Sequence, residues 1–166
     1  AQLDRALAPD TAIAVNLSAP QLGSAAFVAA VQRAVDALAP HPLTLEITET
    51  GWISEELIAS RVMERLLERG VSFAVDDFGV GFSSLQRLRR LPVQLLKLDR
   101  FFSQEIDSDP QSAAVLASML EMAAALNLRT VVEGIERQSQ VEAIRASAPG
   151  DGSALAAEGE VVLSVS

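Results

Sequence analysis

Asn16, Glu46 and Asp76 stand thirty residues apart in turn along this 166-residue chain, and Asp77, Lys97 and Glu133 complete a set of residues able to do chemistry. Each closes a short apolar run. Carboxylate and amide oxygens are hard ligands that suit Mg²⁺, Mn²⁺ or Ca²⁺ better than a soft metal. The adjacent carboxylates of Asp76 and Asp77 can serve two ions at once. Two such ions clamp the attacking and leaving oxygens of a phosphodiester and activate water. A lysine on the same rim, Lys97, can stabilise developing negative charge or orient that water. The bland reading of any one of these residues is a solvated carboxylate at a strand end. What favours a site is the whole set falling on one side of a sheet.

That placement follows from the elements. Residues 12–18 (AIAVNLS), 43–48 (LTLEIT), 71–78, 94–99 (QLLKLD) and 129–135 (RTVVEGI) read as five strands. In 43–48 the alternation is strict: Leu43, Leu45 and Ile47 on one face, Thr44, Glu46 and Thr48 on the other. Amphipathic helices are predicted between the strands. The first covers 27–38, with Phe27, Val28, Val31, Ala34, Val35 and Leu38 on one face. The next is capped by Ser54, carries Leu57, Ile58, Val62, Leu66 and Leu67 as its buried stripe, and stops at Gly70. A short one spans 83–90. A long one starts at Asp109-Pro110, an N-cap followed by proline at the first helical position, and runs to about Leu126. A last helix spans 138–145. Strict βα alternation implies a parallel sheet with right-handed crossovers. Strand parity sends Asn16, Glu46, Asp76, Lys97 and Glu133 to one side, and Val15, Leu45, Val75, Leu96 and Val132 towards the helices. In a parallel barrel, the carboxyl ends of the strands form the mouth where active sites are built. The side-chain oxygens of Asn16, Glu46 and Asp76 are therefore expected to converge there, with Lys97 and Glu133 facing the same cavity.

Composition narrows the function classes. There is no Cys, which excludes a disulfide scaffold, a zinc knuckle and a cysteine nucleophile. A hydrophobic fraction of 49% with 21% charged residues excludes a disordered chain. No apolar run approaches the roughly 20 residues of a bilayer span, and no signal peptide is visible. Hence no membrane contact is expected from this segment. The net charge of −9 argues against long nucleic acids, but leaves room for a small anionic ligand if metal ions supply positive charge. Gly79 and Gly81 form only G-x-G, without the dinucleotide fingerprint or a P-loop lysine. The chain begins with Ala1, which reads as a fragment of a longer product.

Five motifs in order resemble those of EAL domains, the cyclic di-GMP phosphodiesterases of bacterial signalling. Val15-Asn16-Leu17-Ser18 with Gln21-Leu22 resembles "VNLS…QL", and Leu45-Glu46-Ile47-Thr48-Glu49 resembles "LEITE". Asp76-Asp77-Phe78-Gly79-Val80-Gly81-Phe82-Ser83-Ser84-Leu85 is similar to "DDFGTGYSSL". Leu91-Pro92-Val93 with Leu96-Lys97-Leu98-Asp99 is similar to "LPVD.LKID", and Val132-Glu133-Gly134-Ile135-Glu136 to "AEGVE". The resemblance implies a TIM-type (βα)₈ barrel that hydrolyses cyclic di-GMP to linear pGpG with Mg²⁺ or Mn²⁺. By the same resemblance Asn16, Glu46 and Asp76 would be metal ligands, and Asp77 would take part at the second metal. Lys97 would contact the metal-bound water, Glu133 would be the acid at the metal and water site, and Glu49 would support the loop after Asp77. It further implies a cytoplasmic domain, attached to sensor or GGDEF modules in a parent protein that is itself membrane-tethered in some cases, with homodimerisation through the loop after Asp77.

The departures are equally specific. The family's Glu-Ala-Leu strand, which supplies a metal-ligand Glu, has no counterpart in residues 1–11, and no "QGY" signature follows Ala146. Val80 and Phe82 each replace a residue bearing a hydroxyl. A full barrel of this type needs about 250 residues. The expected fold is therefore α/β: an incomplete barrel of five βα units, opened into a sheet, completed by a partner, or covered at an edge by residues 160–166. Residues 1–146 are expected to form the partial EAL domain and residues 147–166 an atypical, flexible tail. The chain by itself is expected to be inactive. Three functions compete: a phosphodiesterase by descent, a degenerate module that binds cyclic di-GMP or a protein partner without catalysis, and an unrelated metal-dependent hydrolase.

Overall fold

The computed structural model describes residues 11–48, 56–79, 85–149, 154–157 and 159–163. Over these residues the order is β1 (Ile13–Leu17), α1 (Ala19–Leu22), α2 (Ala25–Leu38), β2 (Leu43–Thr48), α3 (Glu56–Leu67), β3 (Val71–Phe78), α4 (Leu85–Leu88), β4 (Leu95–Leu98), a 3₁₀ turn (Arg100–Phe102), α5 (Pro110–Ala125), β5 (Arg129–Ile135), α6 (Gln138–Ser147), β6 (Ala154–Ala157) and β7 (Gly159–Leu163). Strands β1 to β5 run parallel in sequence order, each βα unit returning beside the last. This is the incomplete, barrel-like α/β fold of five βα units that the alternation and the family resemblance together imply.

The two faces of the sheet differ as parity requires. Leu45, Ile47, Val71, Phe73, Val75, Leu96, Leu98 and Val132 are buried under the helices. Val31 of α2, Val62, Met63 and Leu66 of α3, Leu116 and Leu120 of α5 and Ile144 of α6 complete that core. The opposite face carries Thr44, Ser72 and Leu95, all only half-buried, as expected of a barrel interior whose far wall is absent from the described residues. Val15 departs from its expectation. It is 46% exposed, and among the described residues β1 ends the sheet and pairs only with β2.

Local chemistry sets the helix ends. Ser24 caps α2 by accepting from the Phe27 amide. Gly70 adopts φ +84°, the left-handed conformation that ends a helix at least cost in glycine. Asp109 caps α5, accepting from the Gln111 and Ser112 amides and from the Ser112 hydroxyl. These bonds hold its carboxyl below the usual value. Asp109→Ala is expected to lower the melting temperature by about 2–4 °C. Asp109→Asn, which keeps an accepting oxygen, should cost less; calorimetric melting of both variants checks this.

Beyond α6 the sheet continues. Strand β7 pairs antiparallel with β5, and β6 pairs antiparallel with β7. The free edge of β5 is thus covered by chain from within 147–166, one of the three arrangements that the short chain left open. No helix among the described residues is long and apolar enough to cross a membrane. Ser54, the expected cap of α3, lies outside the described residues.

Candidate functional site

The site forms where β2 to β5 end. Glu46 pairs in register with Asn16 on β1 and with Ala74 on β3, so all three side chains share a face. Asp76 follows Ala74 on that face. Between β3 and β4, Val75 pairs with Leu96 but Phe78 with Leu98. Strand β3 therefore holds one extra residue, a bulge at Asp76–Asp77, with Asp77 at φ +55°. A bulge re-aims side chains at a strand end. Here Asp76 is half-buried and meets Lys97 while Asp77 stays exposed.

Lys97 is the centre of the arrangement. Its ammonium donates to Glu46 Oε2 at 3.2 Å and lies 3.2 Å from Asp76 Oδ1 and 2.7 Å from Glu133 Oε1. The Lys97 side chain is 12% exposed, against 11%, 15% and 26% for the three carboxylates, so most water is excluded. Three strands thus deliver three acids to one ammonium. The electrostatics follow from that geometry. Burial raises the Glu46 carboxyl, and the repulsion of Asp76 and Glu133 adds to it, against the lowering pull of Lys97. Burial works against the charge on Lys97, but Glu133, Asp76 and Glu46 outweigh it and hold the ammonium above its ordinary value. Asp77 is raised by partial desolvation, then by its neighbours Asp76 and Asp99.

The loops behind the site are stitched together. Ser103 Oγ donates to the carbonyls of Arg100 and Gly134, joining the turn after Lys97 to the residue after Glu133. The buried Gln140 accepts from the Glu136 and Arg137 amides and donates to the Ser103 carbonyl at 2.7 Å. Arg137 forks onto Asp107 and reaches the Gln104 carbonyl. Just past the ends of β3 and β4 lies a cavity of about 450 Å³ lined by Gly79, Asp99, Arg100, Phe101 and Gln104. The Phe101 ring is 71% exposed there, edge-on to Phe102.

Four of the expected residues, Glu46, Asp76, Lys97 and Glu133, come together. Asn16 shares their face but is exposed on the end strand, and Asp77 is exposed on the bulge. Glu49 and most of the loop after Asp77, including Val80 and Phe82, lie outside the described residues. Asp99 was not singled out by the sequence reading. It lines the cavity, accepts from the Phe101 amide at 2.8 Å and acts electrostatically on Asp77. Its parity with Lys97, two residues earlier, is the signal that could have found it.

The EAL domain family matches residues 1–148. The chain belongs to the EAL-domain family. The EAL chain is 40% identical over 135 residues to the bifunctional diguanylate cyclase/cyclic di-GMP phosphodiesterase MucR of Pseudomonas aeruginosa, covering 80% of this chain and 20% of that protein. It is 40% identical over 130 residues to the cyclic di-GMP phosphodiesterase RocR of the same organism, covering 77% of this chain and 33% of that one. Among solved structures, the MucR phosphodiesterase in complex with c-di-GMP superposes with a TM-score of 0.73 at 38% identity, covering 88% of this chain and 60% of that one. The EAL domain of Mycobacterium smegmatis DcpA superposes at 0.75 and 31% identity, covering 82% and 62%. The chain thus spans a third or less of these curated relatives and about three-fifths of these structures.

The donor set has the chemistry for a hard divalent ion, and the cation that its carboxylates meet here is the Lys97 ammonium. Among the described residues no three His, Cys, Asp or Glu side chains are grouped to hold a metal. The carboxylates that would form the group are gathered on the Lys97 ammonium instead.

Proposed function

We propose that this EAL chain recognises cyclic di-GMP without hydrolysing it. The observation that carries the reading is the Lys97 ammonium lodged among Glu46, Asp76 and Glu133, where the acids of a metal site would need to be free. Relatives described as cyclic di-GMP phosphodiesterases, and a solved MucR complex with the nucleotide, support the choice of ligand. The cavity past the ends of β3 and β4 offers matching chemistry. An exposed aromatic face such as Phe101 stacks a base, and the neighbouring Arg100 guanidinium suits a phosphate.

A second reading, metal-dependent hydrolysis to pGpG, is favoured by the retention of Asn16, Glu46, Asp76, Asp77, Lys97 and Glu133 within family-like motifs. In that reading Asn16, Glu46, Asp76 and Asp77 are the Mg²⁺ or Mn²⁺ ligands, Lys97 and Glu133 are catalytic, and Glu49 supports the loop. It requires the three carboxylates to leave Lys97.

Titration calorimetry with cyclic di-GMP, in EDTA and in Mn²⁺, and chromatography of the same mixtures for pGpG separate the two. Binding without product is expected. Affinity should rise in Mn²⁺ and in added NaCl alike, since a chain of charge −9 repels a dianion and the ions act by screening. Phe101→Ala should weaken binding by about tenfold, the order of one stacked base. Turnover to pGpG by the wild-type chain would establish the second reading, and no binding in either buffer would remove both.

A further inference from the structure

Gln140 lies in the first turn of α6 and is 1% exposed, so its amide must find its partners inside the protein. Its Oε1 accepts from the Glu136 and Arg137 amides at 2.9 and 2.8 Å, which caps the helix. Two donors on that side fix the orientation of the amide, with Nε2 on the other. There Nε2 donates to the Ser103 carbonyl at 2.7 Å, across 37 positions of the chain. A helix cap accounts for the oxygen of Gln140 and leaves its nitrogen unexplained.

What the nitrogen reaches is a turn pinned from two further sides. The buried Ser103 shares its Oγ proton between the Arg100 carbonyl at 3.0 Å and the Gly134 carbonyl at 3.3 Å. The Phe102 ring lies against Gly79, where a Cβ would stand 2.6 Å from its Cζ. The chain after β3, β4 and β5 therefore meets at residues 100–103. This turn carries Arg100 and Phe101, which line the cavity. Gly134, across the Ser103 bond, follows Glu133, whose Oε1 is 2.7 Å from the Lys97 ammonium.

We propose that Gln140 is a positioning residue: through Ser103 it fixes the turn bearing Arg100 and Phe101 against the strand end bearing Glu133. The proposal rests on the nucleotide-binding reading above and names what holds that site in shape before a ligand arrives. A turn released from this tie has to be ordered on binding, which lowers affinity by about three- to tenfold.

The single lysine supplies a readout without nucleotide. In the full chain labelled with ¹⁵N-lysine, all side-chain ammonium signal comes from Lys97 and reports its contact with Glu133. Ser103→Ala removes the Oγ bonds, and Gln140→Met keeps the length of the side chain without its polar atoms. Each is expected to move the lysine resonance and to weaken cyclic di-GMP binding by about three- to tenfold in calorimetry below its melting temperature. Ser24→Ala, which removes the cap of α2, should lose stability yet change neither reading. A folded Gln140→Met protein with its lysine resonance unmoved overturns the proposal and reduces Gln140 to a helix cap. A moved resonance with wild-type affinity overturns the part that concerns the turn. Should Gln140→Met fail to fold, Ser103→Ala decides by the same two readings. A wild-type chain that does not bind cyclic di-GMP removes the proposed function separately, and the resonance then decides the tie to Glu133 alone.

Discussion

Lys97→Ala is expected to lower the free energy of unfolding by about 3 kcal/mol or more at neutral pH, because removing one partner of a buried ionic group strands the others. Three carboxylates, each mostly shielded from water, would then face one another without a cation. The pH dependence has a definite sign. Lys97 is held above its ordinary value, so its stabilisation is complete below about 10.5 and is lost as pH rises through the folded-state value. Glu46 is also raised, but an acid raised by folding acts oppositely. The folded state binds the proton more tightly, so Glu46 subtracts stability as pH climbs from 4.5. In Lys97→Ala the lowering pull on Glu46 is gone, and that subtraction grows. The deficit of the variant should therefore be largest near pH 7.5 and should shrink towards pH 4.5, as the carboxylates take up protons. Urea unfolding at the two pH values measures it, and a deficit that widens on acidification would contradict this account of the cluster.

How much of this was legible in the sequence depends on what kind of information each feature needs. Strands β2, β3 and β5 fall at their predicted limits because apolar alternation and flanking turn residues are local signals. Asp109-Pro110 and Gly70 mark helix ends for the same reason. The shared face of Glu46, Asp76, Lys97 and Glu133 follows from parity alone. What parity cannot give is separation. Asn16 has the right parity but lies on the end strand, where it is exposed, and Lys97 has three acids as partners because of distances that only the packed sheet creates. The bulge that sets Asp77 at φ +55° is a register event between two strands, invisible in either one. Strand β6 carries Ala-Leu-Ala-Ala, with neither β-branched nor aromatic residues, so its pairing with β7 has no local signature.

Gly134→Ala is expected to cost about 3–4 kcal/mol, although the residue added is a single methyl group. Gly134 stands at φ +72°, a conformation that L side chains rarely adopt. It is also the extra residue of β5 against β7, where Glu133 pairs with Glu160 and Ile135 with Gly159. A Cβ there would sit 2.4 Å from the Arg100 Cβ and 3.1 Å from its Cα, atoms that cannot swing aside as a side-chain tip can. Gly70→Ala separates the two contributions. At φ +84° with nothing within 4 Å of its Cβ, it carries the backbone strain without the clash and should cost only about 1 kcal/mol. Arg100→Gly removes the opposing Cβ, so in a double-mutant cycle it should recover part of the Gly134→Ala loss, which Arg100→Ala cannot do. The consequence reaches the site. Gly134 follows Glu133 directly and its carbonyl accepts from Ser103, so forcing the two loops apart also pulls Glu133 away from Lys97. Urea unfolding of these variants and of the Gly134→Ala/Arg100→Gly double variant, with the ¹⁵N-lysine resonance of Gly134→Ala recorded alongside, tests both parts. A Gly134→Ala protein as stable as Gly70→Ala, with its lysine resonance unchanged, would show that this close approach does not position the cluster.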